Sequence, residues 1–232
     1  MKNKINNTDA DRKKVKKIRL TDVFFVLSAV ALAALEIFPP EYSSDKTLNG
    51  MISVIVTRAI GSAVFLPLLF RFGYRVMGGL KRPWGVVLGT FIPALAVAVN
   101  NFPIIGVISG EAYVTKPQWY IPIFALESLM IGLFEEFAFR GVLFPYILEN
   151  RRNSSQSIFK ATVISSAAFG AVHLFNLLLG GGIGGVLLQV GYSFLIGGMC
   201  AIVLLYTRCI WLCVALHAIY DFGGFMIPTL GT

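Results

Sequence analysis

Residues 183–229 read IGGVLLQVGYSFLIGGMCAIVLLYTRCIWLCVALHAIYDFGGFMIPT, two apolar runs joined by the short segment YTR at 206–208. Each run is about twenty residues long, the length an α-helix needs to cross a hydrocarbon core of about 30 Å. Arg208 sits at the joint, but His217 and Asp221 fall inside the second run, where ionisable side chains are costly. The stretch predicts a pair of membrane helices, and it raises the question of what the buried polar pair does.

The rest of the chain repeats the pattern. Of 232 residues, 56% are hydrophobic and only 14% are charged, with a mean hydropathy of +0.74. A soluble domain carries roughly a quarter charged residues. Apolar segments fall at roughly 21–38, 51–70, 84–107, 119–148, 158–179, 183–206 and 209–229. The expected fold is an all-α polytopic transmembrane helix bundle of about seven spans, with an eighth crossing or a broken helix as the variant. The fourth segment exceeds one span, and its Trp119 and Tyr120 suit a headgroup belt.

Charge gives an independent reading of orientation. The loops at 71–82 (RFGYRVMGGLKR) and 149–160 (ENRRNSSQSIFK) are basic, whereas those at 39–50 and 109–118 are acidic or balanced. The alternation starts from a basic arm and places the N-terminus in the cytoplasm. The expected organisation is a basic arm at 1–20, N-terminal transmembrane helices at 21–118 and a core at 119–232. The arm and VFFVLSAVALAALEIF (23–38) resemble a signal peptide without a small-x-small cleavage site, so the segment reads as an uncleaved first span.

The net charge of +8 sits in the arm and the short loops. It is not interleaved with aromatic residues, which argues against nucleic-acid binding. The three cysteines, Cys200, Cys209 and Cys213, give no disulfide framework. Cys209 and Cys213 have the spacing of a soft metal pair, but read better as small apolar fillers. The glycine-rich stretch at 177–198 lacks the lysine of a phosphate loop and reads as close helix packing.

The intramembrane ionisable residues carry the functional question: Glu135, Glu136, Arg140, His173, His217 and Asp221, with Glu127 and Arg58 weaker. Both of the chain's histidines lie in apolar segments. Glu136 and Arg140 are four apart and can pair on one helix face. Glu135 points about 100° away. It is left as a free carboxylate, the type that serves as a general base. Phe169, His173 and Asn176 lie about one turn apart, and His217 and Asp221 are four apart, so Asp221 can fix the tautomer of His217. A base, two imidazoles and an orienting carboxylate can activate water and stabilise an oxyanion. The same set fits a two-histidine, one-carboxylate metal site, a helix-locking network or a proton pathway.

EEFAFRG (135–141), FGAVH (169–173) and HAIYD (217–221) occur in this order on successive apolar segments. They resemble the Glu-Glu-x-x-x-Arg, Phe-x-x-x-His and His-x-x-x-Asn/Asp motifs of the CPBP family of intramembrane proteases. That family, also called Abi, includes type II CAAX prenyl endopeptidases and bacteriocin-processing or self-immunity proteins. The resemblance covers roughly residues 119–225. It implies that Glu135 and His173 activate the attacking water and that His217 and Asp221 serve the oxyanion. Glu136 and Arg140 are implied as supports, with Phe169 and Asn176 beside them.

Asp221 is allowed by the motif, but an ionised carboxylate is a poor oxyanion donor, so its spacing favours orientation of His217. The family is described both as metal-free glutamate proteases and as metalloproteases. The expectation here is no cofactor, with zinc on Glu135, His173 and His217 as the alternative. The expected partners are a peptide or membrane-protein substrate and the lipid bilayer. The expected location is a bacterial plasma membrane. A non-catalytic peptide-binding or immunity protein and a proton-coupled carrier are the competing functions.

Overall fold

The computed structural model describes residues 40–73, 76–80, 82–149 and 154–232. Within them every regular element is helical, apart from one isolated bridge between Val114 and Gly231. The expected first span at 21–38 and the basic arm at 1–20 lie outside the described residues, as do Asp22 and Glu36.

Helix α1 (Lys46–Leu68) runs into a π-helical stretch, Leu69–Gly73. It starts where the Asp45 side chain accepts a hydrogen bond from the Leu48 N–H at 2.9 Å, an N-cap. That bond, with Lys116 alongside, holds the Asp45 carboxyl below its ordinary range. Helix α2 (Trp84–Asn100) is followed by the short α3 (Ile104–Ser109). The segment expected as one run at 84–107 therefore breaks before Pro103, which disfavours helical backbone at the residue preceding it.

Helix α4 (Tyr120–Glu136) continues through a π-helical stretch, Phe137–Leu143, into α5 (Phe144–Glu149). Helix α6 (Ser155–Val172) is capped by the Ser154 hydroxyl and ends in a 3₁₀ turn, His173–Leu177. Helices α7 (Ile183–Thr207) and α8 (Ile210–Leu230) form the predicted pair. Their joint is tight because Arg208 adopts φ 57°, a left-handed cap whose N–H bonds to the Leu204 carbonyl at 2.9 Å.

Among the described residues, four helical stretches are long and apolar enough to cross a membrane: Lys46–Arg71, Ser155–Leu177, Ile183–Thr207 and Ile210–Leu230. Trp84–Asn100 is apolar but shorter. The chain is thus a helical membrane protein. Large apolar side chains such as Ile92, Ile108, Phe159, Leu188 and Leu195 face outward, as lipid contact requires. The buried core gathers Leu69, Phe137, Phe144, Leu204, Ile210 and Leu216, where the end of α1, the π-helical stretch, α7 and α8 meet.

Close helix approach depends on part of the glycine-rich stretch and on glycines outside it. Gly182, Gly184, Gly185 and Gly191 have open space where a Cβ would stand, and Gly180 turns the chain at φ 89°. Gly180 and Gly182 serve the α6–α7 turn, whereas Gly184, Gly185 and Gly191 lie within α7. Tight contacts include Gly170 against the Val190 carbonyl, Gly197 against Arg140 and Phe169, and Gly132 against α8.

A Cβ on Gly132 would lie 3.0 Å from the Val214 carbonyl oxygen and 3.4 Å from the His217 Cβ. Gly132→Val is therefore expected to push α4 from α8 and destabilise the chain by about 1–3 kcal/mol. A thermal midpoint in detergent checks it, and an unchanged midpoint would contradict so close an approach.

Candidate active site

The site forms where the C-terminal end of α4 faces the middle of α8, with the end of α6 closing one side. Glu135 and Glu136 end α4, immediately before its π-helical stretch. Such bulges re-aim side chains and occur frequently at functional sites. Within that stretch Arg140 points back, placing Nη1 3.0 Å from Glu136 Oε1, with both side chains almost wholly buried.

The same Glu136 oxygen reaches across to α8. His217 Nδ1 lies 2.8 Å from Glu136 Oε1. A carboxylate only accepts, so Nδ1 carries the proton and donates it. The other ring nitrogen, Nε2, lies 3.4 Å from both Glu135 Oε2 and Asp221 Oδ2.

Spacing within single helices set Asp221 beside His217, and it lies 3.4 Å from Nε2, but Glu136 adds a shorter bond to the opposite ring nitrogen that spacing did not give. Glu135 is not without a partner, because Nε2 of His217 stands beside it. Both differences arise from contacts between helices, which spacing along one helix does not contain.

His173 occupies the junction between α6 and its 3₁₀ turn. Its Nδ1 lies 3.0 Å from the Phe169 carbonyl oxygen and donates to it. Nε2 is then the acceptor. Phe169 is buried and meets both imidazoles edge-on, with ring centroids 5.3 Å from His173 and 5.6 Å from His217. The Arg140 guanidinium lies 4.4 Å from the centroid of the same ring. Asn176 donates to Gln189 Oε1 at 2.8 Å.

A cavity of about 310 Å³ opens on this group. Glu135, Phe169, His173, Asn176, His217 and Asp221 all line it, whereas Glu136 and Arg140 stand behind.

Residues 117–223 match the family model described as type II CAAX prenyl endopeptidase Rce1-like. This segment is an Rce1-like domain. No curated protein and no solved structure gives a significant match to the chain. The Rce1-like domain begins just before α4 and ends just beyond Asp221, so it holds every residue named by the three motifs. The match agrees with the CPBP resemblance those motifs carry.

The cavity extends beyond the Rce1-like domain, since Arg58, Phe225 and Thr229 also line it. Glu127 and Arg58, weaker on sequence grounds, prove to be wall residues. Gln189, Tyr192 and Tyr220 were missed. The only sequence signal was a glutamine and two tyrosines in apolar runs.

Among the described residues no three His, Cys, Asp or Glu side chains are grouped as metal ligands. Both imidazoles are held through Nδ1, which leaves each Nε2 turned toward the cavity side, and that of His217 lies 3.4 Å from both Glu135 and Asp221. The cysteines offer no such group either. All three are buried, and Cys213 Sγ lies 3.2 Å from the Cys200 carbonyl oxygen.

Proposed function

We propose that the chain is a metal-free intramembrane endopeptidase that hydrolyses a peptide bond of a membrane-associated peptide or protein. The observation that carries this reading is the convergence of Glu135, His173 and His217 on one cavity among apolar helices. Glu135 takes a proton from a water that the Nε2 acceptor of His173 holds. The resulting hydroxide adds to the carbonyl carbon. His217, protonated on both ring nitrogens, donates its Nε2–H to the oxyanion while its Nδ1–H is held from behind by Glu136. Glu135 then passes its proton to the leaving amine as the C–N bond breaks. Asp221 limits the orientations open to His217 from the cavity side. Seven spans with a cytoplasmic N-terminus, in a bacterial plasma membrane, complete the reading. The description of the matched family makes a prenylated C-terminal peptide the first substrate to try.

The test uses the purified full chain in liposomes with membrane-anchored peptides, a prenylated-cysteine peptide among them. Wild type is expected to cleave, and His173→Ala is expected to lose at least about 100-fold of the rate. Undiminished cleavage by His173→Ala would remove His173 from the mechanism. Binding without cleavage by wild type would instead favour a non-catalytic peptide-binding or immunity protein.

A further inference from the structure

The cavity is longer than the chemistry at its end requires. Along α4 its wall runs from Phe124 through Glu127 and Ile131 to Glu135, a length of about 16 Å at 1.5 Å per residue. Along α8 the wall runs the opposite way, from His217 to Thr229. The hydrolytic steps use only the end with Glu135, His173 and His217.

Glu127 stands in the unused part. It lies two turns before Glu135, or about 12 Å along the helix axis. Its Oε2 is buried and takes no hydrogen bond from the protein. A buried carboxylate oxygen without a donor is costly. Here that oxygen belongs to a side chain that borders a cavity, where a ligand can supply the donor.

The charge around it is also unbalanced. Glu127, Glu135 and Asp221 line the cavity against Arg58 and the doubly protonated His217 of the proposed mechanism, which leaves one carboxylate in excess. A neutral donor would satisfy the oxygen but leave the excess negative charge in a low-dielectric site, whereas a cation answers both. An extended peptide advances about 3.3 Å per residue. A group about 12 Å from the scissile carbonyl thus belongs to the third or fourth residue from it.

We propose that Glu127 is the specificity-determining carboxylate of this cavity and takes a lysine or arginine side chain three to four residues from the scissile bond. The proposal rests on the endopeptidase reading and names the substrate feature that the same site recognises.

The experiment uses the full-length chain carrying Glu135→Gln, so that bound peptide is not consumed. Fluorescent membrane-anchored peptides, identical except for lysine, norleucine or glutamate at one tiled position, are titrated against it by anisotropy. At one position lysine is expected to bind about tenfold or more tighter than norleucine. Adding Glu127→Gln should erase the preference, and Glu127→Asp should retain part of it. Equal binding of lysine and norleucine peptides at every position overturns the proposal. So does a lysine preference that survives Glu127→Gln, and so does failure of every peptide to bind the folded chain.

The endopeptidase reading fails by a different result. A wild-type chain that holds the lysine peptide through Glu127, yet never cleaves it, keeps the binding role and loses the hydrolysis.

Discussion

Glu135→Gln is expected to lower peptide cleavage by about 10²–10⁴-fold, the contribution of a positioned general base, while the fold survives. Glutamine keeps the shape of the side chain and can still meet His217, but it cannot accept the proton that water must lose. The fold should tolerate it because Glu135 borders the cavity and keeps 16% of its side chain exposed, against 0% for Glu136. The carboxylate meets Nε2 of His217 at 3.4 Å, and without it that ring keeps Glu136 at 2.8 Å and Asp221 at 3.4 Å. Single-turnover cleavage and a thermal midpoint in the same detergent check both halves. A Glu135→Gln chain that cleaves at the wild-type rate would move the base elsewhere, with Glu127 and Asp221 the remaining carboxylates on the cavity wall.

The helical membrane fold was legible because each described helix carries an apolar run that only a membrane or a deep core accommodates. The α7–α8 pair could be placed to within a residue or so because the break at YTR is abrupt in both hydropathy and charge. The α2–α3 break was not placed, although Pro103 marked it, because the hydropathy of 84–107 is continuous across it. At the site, spacing within one helix found the Glu136–Arg140 pair. It also put His173 with Phe169, whose carbonyl accepts the Nδ1–H. Spacing failed wherever a partner came from another helix. The Glu136–His217 bond joins residues 81 apart in the chain. Gly132 is what lets α4 approach α8 closely enough for that bond, and nothing in its local sequence announces the role. Arg58 and Glu127 looked weak because neither has an ionisable residue one turn away in its own helix. Their meaning appears only when α1 and α4 close around one cavity.

Glu136→Ala is expected to destabilise the chain by about 3–5 kcal/mol, the cost of leaving a buried charge without its partner. Arg140 is 1% exposed, and once Glu136 is gone its guanidinium keeps only the faces of Phe169 and Phe139 as favourable surroundings. The same change also removes the acceptor of the His217 Nδ1–H, so lost activity alone would not say which role mattered. A double substitution separates them. Glu136→Ala with Arg140→Met deletes both charges and puts an apolar chain in the arginine's place, a change that often restores stability lost to an unpaired buried ion. Stability in detergent is expected to recover, but cleavage is not, because His217 then has nothing to hold its ring from behind. Glu136→Gln should fall between, since it keeps an acceptor for Nδ1–H while weakening the contact with Arg140. If the double variant recovered cleavage together with stability, Glu136 would be a strut between turns of its own helix and the hold on His217 would count for nothing. The 2.8 Å bond between Glu136 and His217 argues for the other outcome, in which one carboxylate oxygen serves both the helix and the imidazole.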